Sequence, residues 1–138
     1  MRINEVMTQP IHVIKPDTPI QEAARLMRND DLGALPVAEN EKLIGMLTDR
    51  DIVVRAIAEG KDLTTPVRQI LTDKVLYCFE DEPIEEAAEN MAKNQVRRLP
   101  VLNRDKRLVG IVSLGDLAVE GKSAKSADAL KGVSKPTH

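Results

Sequence analysis

The stretch that decides the fold is Gly45-Met46-Leu47-Thr48-Asp49-Arg50-Asp51, and an altered copy follows as Gly110-Ile111-Val112-Ser113-Leu114-Gly115-Asp116. In each copy an apolar strand pattern ends at a hydroxyl residue, and an acid follows three positions later, where an apolar helical pattern begins. This order predicts a helix N-terminus surrounded by a hydroxyl, free N–H groups and a carboxylate. Such a terminus can hold a phosphate through its N–H groups and its dipole. Two of them in one chain indicate two small-molecule sites.

Further matches on both sides of this stretch show that the chain is a tandem repeat. The segment Thr18-Pro19-Ile20-Gln21-Glu22-Ala23-Ala24 matches Glu82-Pro83-Ile84-Glu85-Glu86-Ala87-Ala88, and Leu35-Pro36-Val37 matches Leu99-Pro100-Val101. Thr8 matches Thr72 at the same spacing. The chain therefore divides into a first repeat over residues 1–61, a second repeat over residues 62–120 and a flexible C-terminal tail over residues 121–138.

Each repeat is predicted to run strand–helix–strand–strand–helix. Short first strands are expected at residues 11–14 and 75–79. Thr18 is expected to cap the first helix, with Pro19 at its first position and Gln21 completing a capping box, and Glu82 takes the cap position in the second copy. Apolar residues at helical spacing predict the buried face of each helix. They are Ile20, Ala23, Ala24 and Met27, and Ile84, Ala87, Ala88 and Met91.

The rest of each repeat reads as a strand pair followed by a helix. The strands are expected at residues 32–37 and 43–47, and at 96–102 and 107–112. Pro36 and Pro100 cannot donate to a ladder and therefore predict a sheet edge or a strand end. The final helix starts at Asp51 and is ended by Gly60, and its counterpart after Asp116 is shorter. The fold class is α/β (α+β), with two pseudo-twofold-related repeats packed sheet to sheet.

The composition disfavours several function classes. Aromatic content of 1% and a net charge of −2 argue against a nucleic-acid binder, which needs stacking platforms and a basic face. A single cysteine excludes an intramolecular disulfide framework. No apolar run approaches the roughly 20 residues that span a bilayer, and no signal peptide pattern begins the chain. We expect a soluble, cytoplasmic protein with no membrane or nucleic-acid partner.

The chain carries no recognisable catalytic or metal-binding motif. There is no Gly-x-Ser-x-Gly, no Walker loop and no Cys–His pair, so an enzyme is not expected. His12 and His138 are too few and too scattered for a zinc site. Cys78 matches the apolar Ile14 of the first copy, which predicts a buried thiol rather than a metal ligand.

Three motifs, each present twice in the same order, resemble the CBS domain, and their tandem resembles the CBS pair called a Bateman module. The motifs are the Pro-Ile-x-Glu-Ala-Ala helix, the Leu-Pro-Val strand and the Gly-x-x-Thr/Ser-x-x-Asp ending, over about residues 3–120. The chain looks most like small stand-alone bacterial CBS-pair proteins of the hypoxic-response type. The resemblance implies a cleft between the halves, disc-shaped homodimers and non-catalytic signal transduction. The implied ligands are adenosine compounds: AMP, ADP, ATP, NAD or S-adenosylmethionine.

The resemblance also implies roles for the motif residues. Asp51 and Asp116 would hold the ribose hydroxyls, since a carboxylate can accept two hydrogen bonds from a cis-diol. The residues implied for phosphate are Thr48, Arg50, Ser113, Gly115, Arg97 and Arg98. Alternation along the strand favours Arg98 over Arg97. The residues implied for the adenine are His12, Val13, Met46, Leu76, Ile111, Pro36 and Pro100. No cofactor is required beyond the nucleotide, with Mg²⁺ if the ligand is a polyphosphate.

Structural alternatives remain open for each of these residues. Thr48 with Asp51, and Ser113 with Asp116, also resemble helix capping boxes, with Asp where Glu or Gln is preferred, and a helix start alone would explain them. Arg97 and Arg98 are alternatively a solvated surface pair, and the adenine candidates are equally expected in the core. His12 is alternatively a surface histidine. The alternative function is a ligand-free scaffold that dimerises and binds an unidentified partner protein.

Overall fold

The computed structural model describes residues 1–9 and 12–120 of the chain. The predicted tail lies outside the described residues, as do Pro10 and Ile11. The helices and strands in chain order are α1 (Ile20–Asp30), β1 (Ala34–Glu39), β2 (Lys42–Thr48), α2 (Asp49–Asp51) continued by a π-helix (Ile52–Ile57), β3 (Cys78–Phe79), α3 (Ile84–Asn94), β4 (Arg98–Leu102), β5 (Leu108–Ser113) and α4 (Leu114–Glu120). This mixed α+β content confirms the predicted fold class.

The chain forms two compact units whose limits differ from those of the sequence repeats. The contiguous unit is His12–Val75, and the composite unit joins the N-terminal segment to the chain from Leu76 onward. The N-terminal segment enters the composite unit through Ile3, which is fully buried there. Its N–H donates to the carbonyl of Glu82 at 3.0 Å. The predicted repeat limits, after residues 61 and 120, stay a prediction.

Each unit contains one small sheet built on an antiparallel strand pair. In the contiguous unit β1 pairs with β2, and Ile14 adds a single parallel bridge to Val37. In the composite unit the order is β3-β4-β5, with β3 parallel and β5 antiparallel to β4. The first strand predicted at residues 11–14 is thus reduced to one bridged residue within the described chain, and the one predicted at 75–79 to two residues.

The helix caps differ from the prediction by one position. Pro19 and Pro83, rather than Thr18 and Glu82, precede the first helical residues of α1 and α3, and neither position has a side-chain cap. The predicted Thr18–Gln21 capping box is therefore wrong. The reason is that backbone carbonyls take the place of the side chain. The N–H groups of Ile20 and Gln21 donate to the carbonyls of Thr65 and Leu63.

The two prolines sit inside strands without disrupting them. Pro36 pairs with Met46, and Pro100 pairs with Ile111 in β4, the central strand of its sheet. An edge position is therefore wrong for Pro100. The N–H and carbonyl of Ile111 bond instead to Thr8, so the Pro100–Ile111 pair requires no proline N–H. On its other side, β4 pairs with β3 only from Val101 onward.

Each unit has its own apolar core, in which the predicted helix faces are confirmed. Ile20, Ala23 and Met27 of α1 are buried and Ala24 is half-buried, and all four predicted residues of α3 are buried. The core of the contiguous unit is Ile14, Ile20, Ala23, Met27, Leu35, Val37, Leu47, Ala56, Val67 and Ile70. The core of the composite unit is Ile3, Cys78, Ile84, Ala87, Ala88, Met91, Leu99, Val101, Val112, Leu114 and Leu117.

Candidate functional site

The first motif folds into a reciprocal capping box at the junction of β2 and α2. Thr48 Oγ1 accepts from the N–H of Asp51 at 3.1 Å, and Asp51 Oδ2 accepts from the N–H of Thr48 at 3.0 Å. Thr48 keeps an extended backbone, with φ −115° and ψ 161°, so the strand turns into the helix at this residue. The box fixes the rotamer of Asp51 and leaves its second oxygen, Oδ1, directed to other groups.

Asp51 Oδ1 lies close to two more side chains of the same unit. Thr72 Oγ1 donates to it at 3.5 Å, and Arg55 Nε lies 3.8 Å away as an ion pair. Arg55 is held in turn by the carbonyls of Leu71 and Ile70, to which its Nη1 donates at 3.1 and 3.4 Å. The Asp51 side chain is only 10% exposed. A carboxylate this buried needs such partners, because desolvation penalises an unpaired charge.

The sequence patterns assign no role to Thr72 or Arg55, although a signal for each exists in the chain. Thr72 repeats Thr8, and Arg55 follows Asp51 by four positions, the spacing at which helical side chains meet. The backbone of Thr72 exchanges two hydrogen bonds with Met46, both 2.9 Å long. Thr8 makes the equivalent pair with Ile111 at 2.8 and 3.4 Å. A bridging threonine therefore lies beside each motif.

The second motif forms the same box in the composite unit. Ser113 Oγ accepts from the N–H of Asp116 at 3.1 Å, and Asp116 Oδ2 accepts from the N–H of Ser113 at 2.9 Å. Asp116 is half-buried and therefore more accessible than Asp51. The capping function predicted for both motifs is confirmed.

Arg97 and Arg98 are placed next to the second box by the backbone. The carbonyl of Arg97 accepts from the N–H of Leu114, the first residue of α4, at 2.8 Å. Arg98 lies opposite Ser113 in the strand register. Both side chains are exposed. The composite unit thus brings two cations, a hydroxyl and a carboxylate to one end of the β4–β5 pair.

The corresponding positions of the contiguous unit are different. Gly33 occupies the place of Arg97, and its carbonyl accepts from the N–H of Asp49 at 3.0 Å. Arg50 is exposed, but its N–H already donates to Asp49 Oδ1 at 2.8 Å. Gly115, the counterpart of Arg50, is exposed as well. The number of cationic side chains therefore differs between the surroundings of the two motifs.

The residues predicted to contact the adenine are of two kinds: residues paired across strands, which are at least half-buried, and exposed single residues. Pro36 lies opposite Met46, and Pro100 lies opposite Ile111, with both prolines buried and their partners half-buried. Val13 and Leu76 are 40% and 44% exposed. His12 is exposed, and its Nε2 lies 3.6 Å from Asp30 Oδ2. These positions are compatible with both readings, ligand contact and packing.

No metal cluster is evident in the part of the chain that the structure describes. Within residues 1–9 and 12–120, no group of three His, Cys, Asp or Glu side chains could hold a metal ion. Cys78 is buried, as predicted. Burial, with a smaller contribution from the charge of Glu82, raises the pKa of its thiol to about 12. No helix among these residues is both long and apolar enough to cross a bilayer.

Comparisons with known proteins agree with this architecture. The CBS-domain family model matches residues 3–57 and 67–121. The CBS domain-containing protein YhcV of Bacillus subtilis is 43% identical over 133 residues, which cover 96% of this chain and 94% of YhcV. The structure of hypoxic response protein I with two coordinated zinc ions is similar with a TM-score of 0.79 and 34% identity, covering 87% of this chain and 98% of that one.

Two similar structures contain adenosine compounds. CBSX2 in complex with AMP has a TM-score of 0.76 and 26% identity, covering 86% of this chain and 93% of that chain. The CBS domain pair of protein MJ0100, in complex with 5′-methylthioadenosine and S-adenosyl-L-methionine, has a TM-score of 0.74 and 28% identity, covering 86% of this chain and 94% of that chain.

Proposed function

Because the chain belongs to the CBS-domain family, with two CBS domains, we propose that it is a regulatory, non-catalytic module that binds an adenosine nucleotide. AMP, ADP, ATP and NAD are the candidate ligands, with Mg²⁺ accompanying a polyphosphate. Binding would shift the population between conformations that a partner protein distinguishes. The predicted cleft between the repeats, the homodimer and the cytoplasmic location remain part of this proposal.

One observation carries the proposal: each motif holds a carboxylate by one oxygen in a capping box. Asp51 and Asp116 each use Oδ2 for the motif's own N–H, at 3.0 and 2.9 Å. A carboxylate has about four acceptor positions. Each can therefore cap its helix and also accept hydroxyl hydrogens from a ribose. The AMP and methylthioadenosine complexes of CBSX2 and MJ0100 support the choice of an adenosine ligand.

The proposal is tested by replacing the two acids. Asp51→Ala and Asp116→Ala are each expected to abolish binding of AMP at one site, measured by isothermal titration calorimetry. Each also removes the carboxylate half of a capping box, and the loss of this hydrogen bond costs about 0.5–1.5 kcal/mol. Asp105→Ala, which removes an exposed carboxylate from the β4–β5 turn, is the matched control and should bind as the wild type does. Unchanged titrations of both motif variants would refute the ribose assignment.

Arg98 is expected to bind the phosphate of the nucleotide. A charge-assisted hydrogen bond contributes about 1.5–3 kcal/mol. Arg98→Ala should therefore weaken AMP binding about 10–100-fold while binding of adenosine, which has no phosphate, changes little. Lys93→Ala removes a cation from the exposed face of α3 and serves as control. An equal loss for AMP and adenosine would argue against a phosphate contact.

A ligand-free dimerising scaffold is the second candidate. Three apolar side chains of the π-helix, Val53, Val54 and Ile57, are 59%, 44% and 54% exposed, which favours a protein contact at this helix. Thermal unfolding with AMP, ADP, ATP, NAD, S-adenosylmethionine and a guanine control separates the two candidates. A ligand at 100 times its Kd adds about 2.7 kcal/mol to the free energy of unfolding. No rise of Tm with any compound would favour the scaffold.

A further inference from the structure

The two motif carboxylates are equivalent in sequence but have different partners. Asp51 Oδ1 is contacted by Thr72 Oγ1 at 3.5 Å and by Arg55 Nε at 3.8 Å. Among the described side chains, the structure records a single hydrogen bond for the carboxylate of Asp116, the one its Oδ2 accepts from the N–H of Ser113. The Asp51 side chain is also nearly closed to solvent, whereas Asp116 is half-buried.

This difference changes how much acceptor capacity a ribose would find. A cis-diol donates two hydrogen bonds to a carboxylate, which offers about four acceptor positions. At Asp51 three of these positions face Thr48, Thr72 and Arg55. The contacts on Oδ1 are long, so a diol could replace them, but only by displacing the threonine hydroxyl and the guanidinium. At Asp116 no such displacement is needed among the residues described.

Arg55 is well placed to keep its position beside Asp51. Although its side chain is 53% exposed, its Nη1 donates to two backbone carbonyls, those of Leu71 and Ile70. These contacts hold the guanidinium between the π-helix and the segment that carries Thr72. In the second copy the position four residues after Asp116 is Glu120, so that motif has an acid in sequence where the first has a cation.

We infer that Arg55, together with Thr72, makes the two ligand sites unequal, so that the ribose occupies Asp116 first. At the Asp51 site the ion pair between Arg55 and Asp51 competes with the ligand, so a ligand binds there only when it displaces Arg55. Arg55 is a specificity-determining residue in this scheme rather than a ligand contact. The inference rests on the proposed function, because it concerns the order in which the same adenosine ligand fills the two motifs.

The experiment uses the full chain with one site removed at a time, and AMP as the probe in calorimetry. Asp51→Ala leaves the Asp116 site, and Asp116→Ala leaves the Asp51 site. We expect the Asp51→Ala protein to bind AMP at least about 10-fold more tightly than the Asp116→Ala protein does, a difference of about 1.4 kcal/mol in binding free energy. Adding Arg55→Met should tighten binding several-fold in the Asp116→Ala protein and leave it unchanged in the Asp51→Ala protein. Arg68→Met, an exposed arginine of the same unit, is the control.

Three further measurements separate this role from a structural one. Arg55→Lys keeps the charge and should leave binding weak. Thr72→Val removes the competing hydroxyl and keeps the backbone bridge to Met46, and it should also tighten binding at the Asp51 site. This variant tests the inference independently if the Arg55→Met protein does not fold. With 2′-deoxy-AMP, which lacks one hydroxyl of the diol, the gain from Arg55→Met should largely disappear.

The outcomes distinguish the inference from the function on which it rests. Equal affinities in the two single-site proteins would overturn the inference and leave adenosine binding intact. Weaker AMP binding after Arg55→Met in the Asp116→Ala protein would also overturn it, because Arg55 would then be a ligand contact. Wild-type protein that binds none of AMP, ADP, ATP and NAD would refute the proposed function, and the inference with it.

Discussion

Gly45→Ala is expected to destabilise the contiguous unit strongly. A Cβ at Gly45 would lie 2.4 Å from the carbonyl oxygen of Thr72 and 2.8 Å from Leu71 Cδ1. The carbonyl cannot rotate away as a side chain can, because it accepts from the N–H of Met46 at 2.9 Å. We expect a loss of about 3 kcal/mol, the upper end of the usual range for overpacking, measured as the free energy of unfolding in urea.

Gly110→Ala is the matched control in the second copy. There the nearest atom to an added Cβ is Met7 Sδ at 2.7 Å, followed by Met7 Cγ and the carbonyl of Thr8, both at 3.1 Å. A methionine side chain is flexible and can move, so we expect a loss of about 1 kcal/mol. Equal losses in the two variants would contradict the rigid contact between β2 and Thr72.

Ile3→Ala is expected to have a comparable effect on the composite unit. Ile3 is fully buried in that core, although it lies near the start of the chain. Backbone hydrogen bonds fix it there: Asn4 donates to the carbonyl of Glu80 at 2.9 Å, and Ile84 donates to that of Met1 at 3.1 Å. Truncating a buried isoleucine to alanine costs about 2–5 kcal/mol. The free energy of unfolding in urea measures this loss.

Met1→Ala is the control for the N-terminal segment. Met1 is 58% exposed, so its truncation should change the free energy of unfolding by no more than about 0.5 kcal/mol. A small effect of Ile3→Ala, similar to that of Met1→Ala, would show that the segment does not belong to the core of the composite unit in solution.

Features set by neighbouring residues could be predicted from the sequence. The apolar spacing of Ile20, Ala23 and Met27 identifies the buried face of α1 because a helix repeats every 3.6 residues. The β1–β2 hairpin follows from a polar stretch between two apolar runs, and Asn40 and Glu41 there adopt the positive φ values of 52° and 68° that a tight hairpin needs. Both capping boxes follow from a three-residue spacing.

Features set by distant residues could not be predicted from the sequence. The N–H groups at the start of α1 donate to the carbonyls of Leu63 and Thr65, more than forty residues along the chain. Because every residue has a carbonyl, no residue type marks the two that cap this helix. The contact of Thr72 with Asp51 depends on the bridge between Thr72 and Met46, which no local sequence pattern predicts. The contact of Arg55 with Asp51 could have been predicted, because Arg55 follows Asp51 by four positions, the spacing at which helical side chains meet. The ligand roles of the motif residues stay predictions, because a capping box looks the same with or without a ligand.

The way the chain is divided between the two units has a consequence for its synthesis on the ribosome. The contiguous unit, His12–Val75, can fold as soon as those residues have emerged. Residues 1–9 precede this unit in the chain but are bound only later, because Ile3 and Asn4 donate to the carbonyls of Glu82 and Glu80, which are made nearly eighty residues after them. Ile3 therefore stays unburied until the composite unit forms. The composite unit is thus completed after the contiguous unit, although part of it is made before that unit.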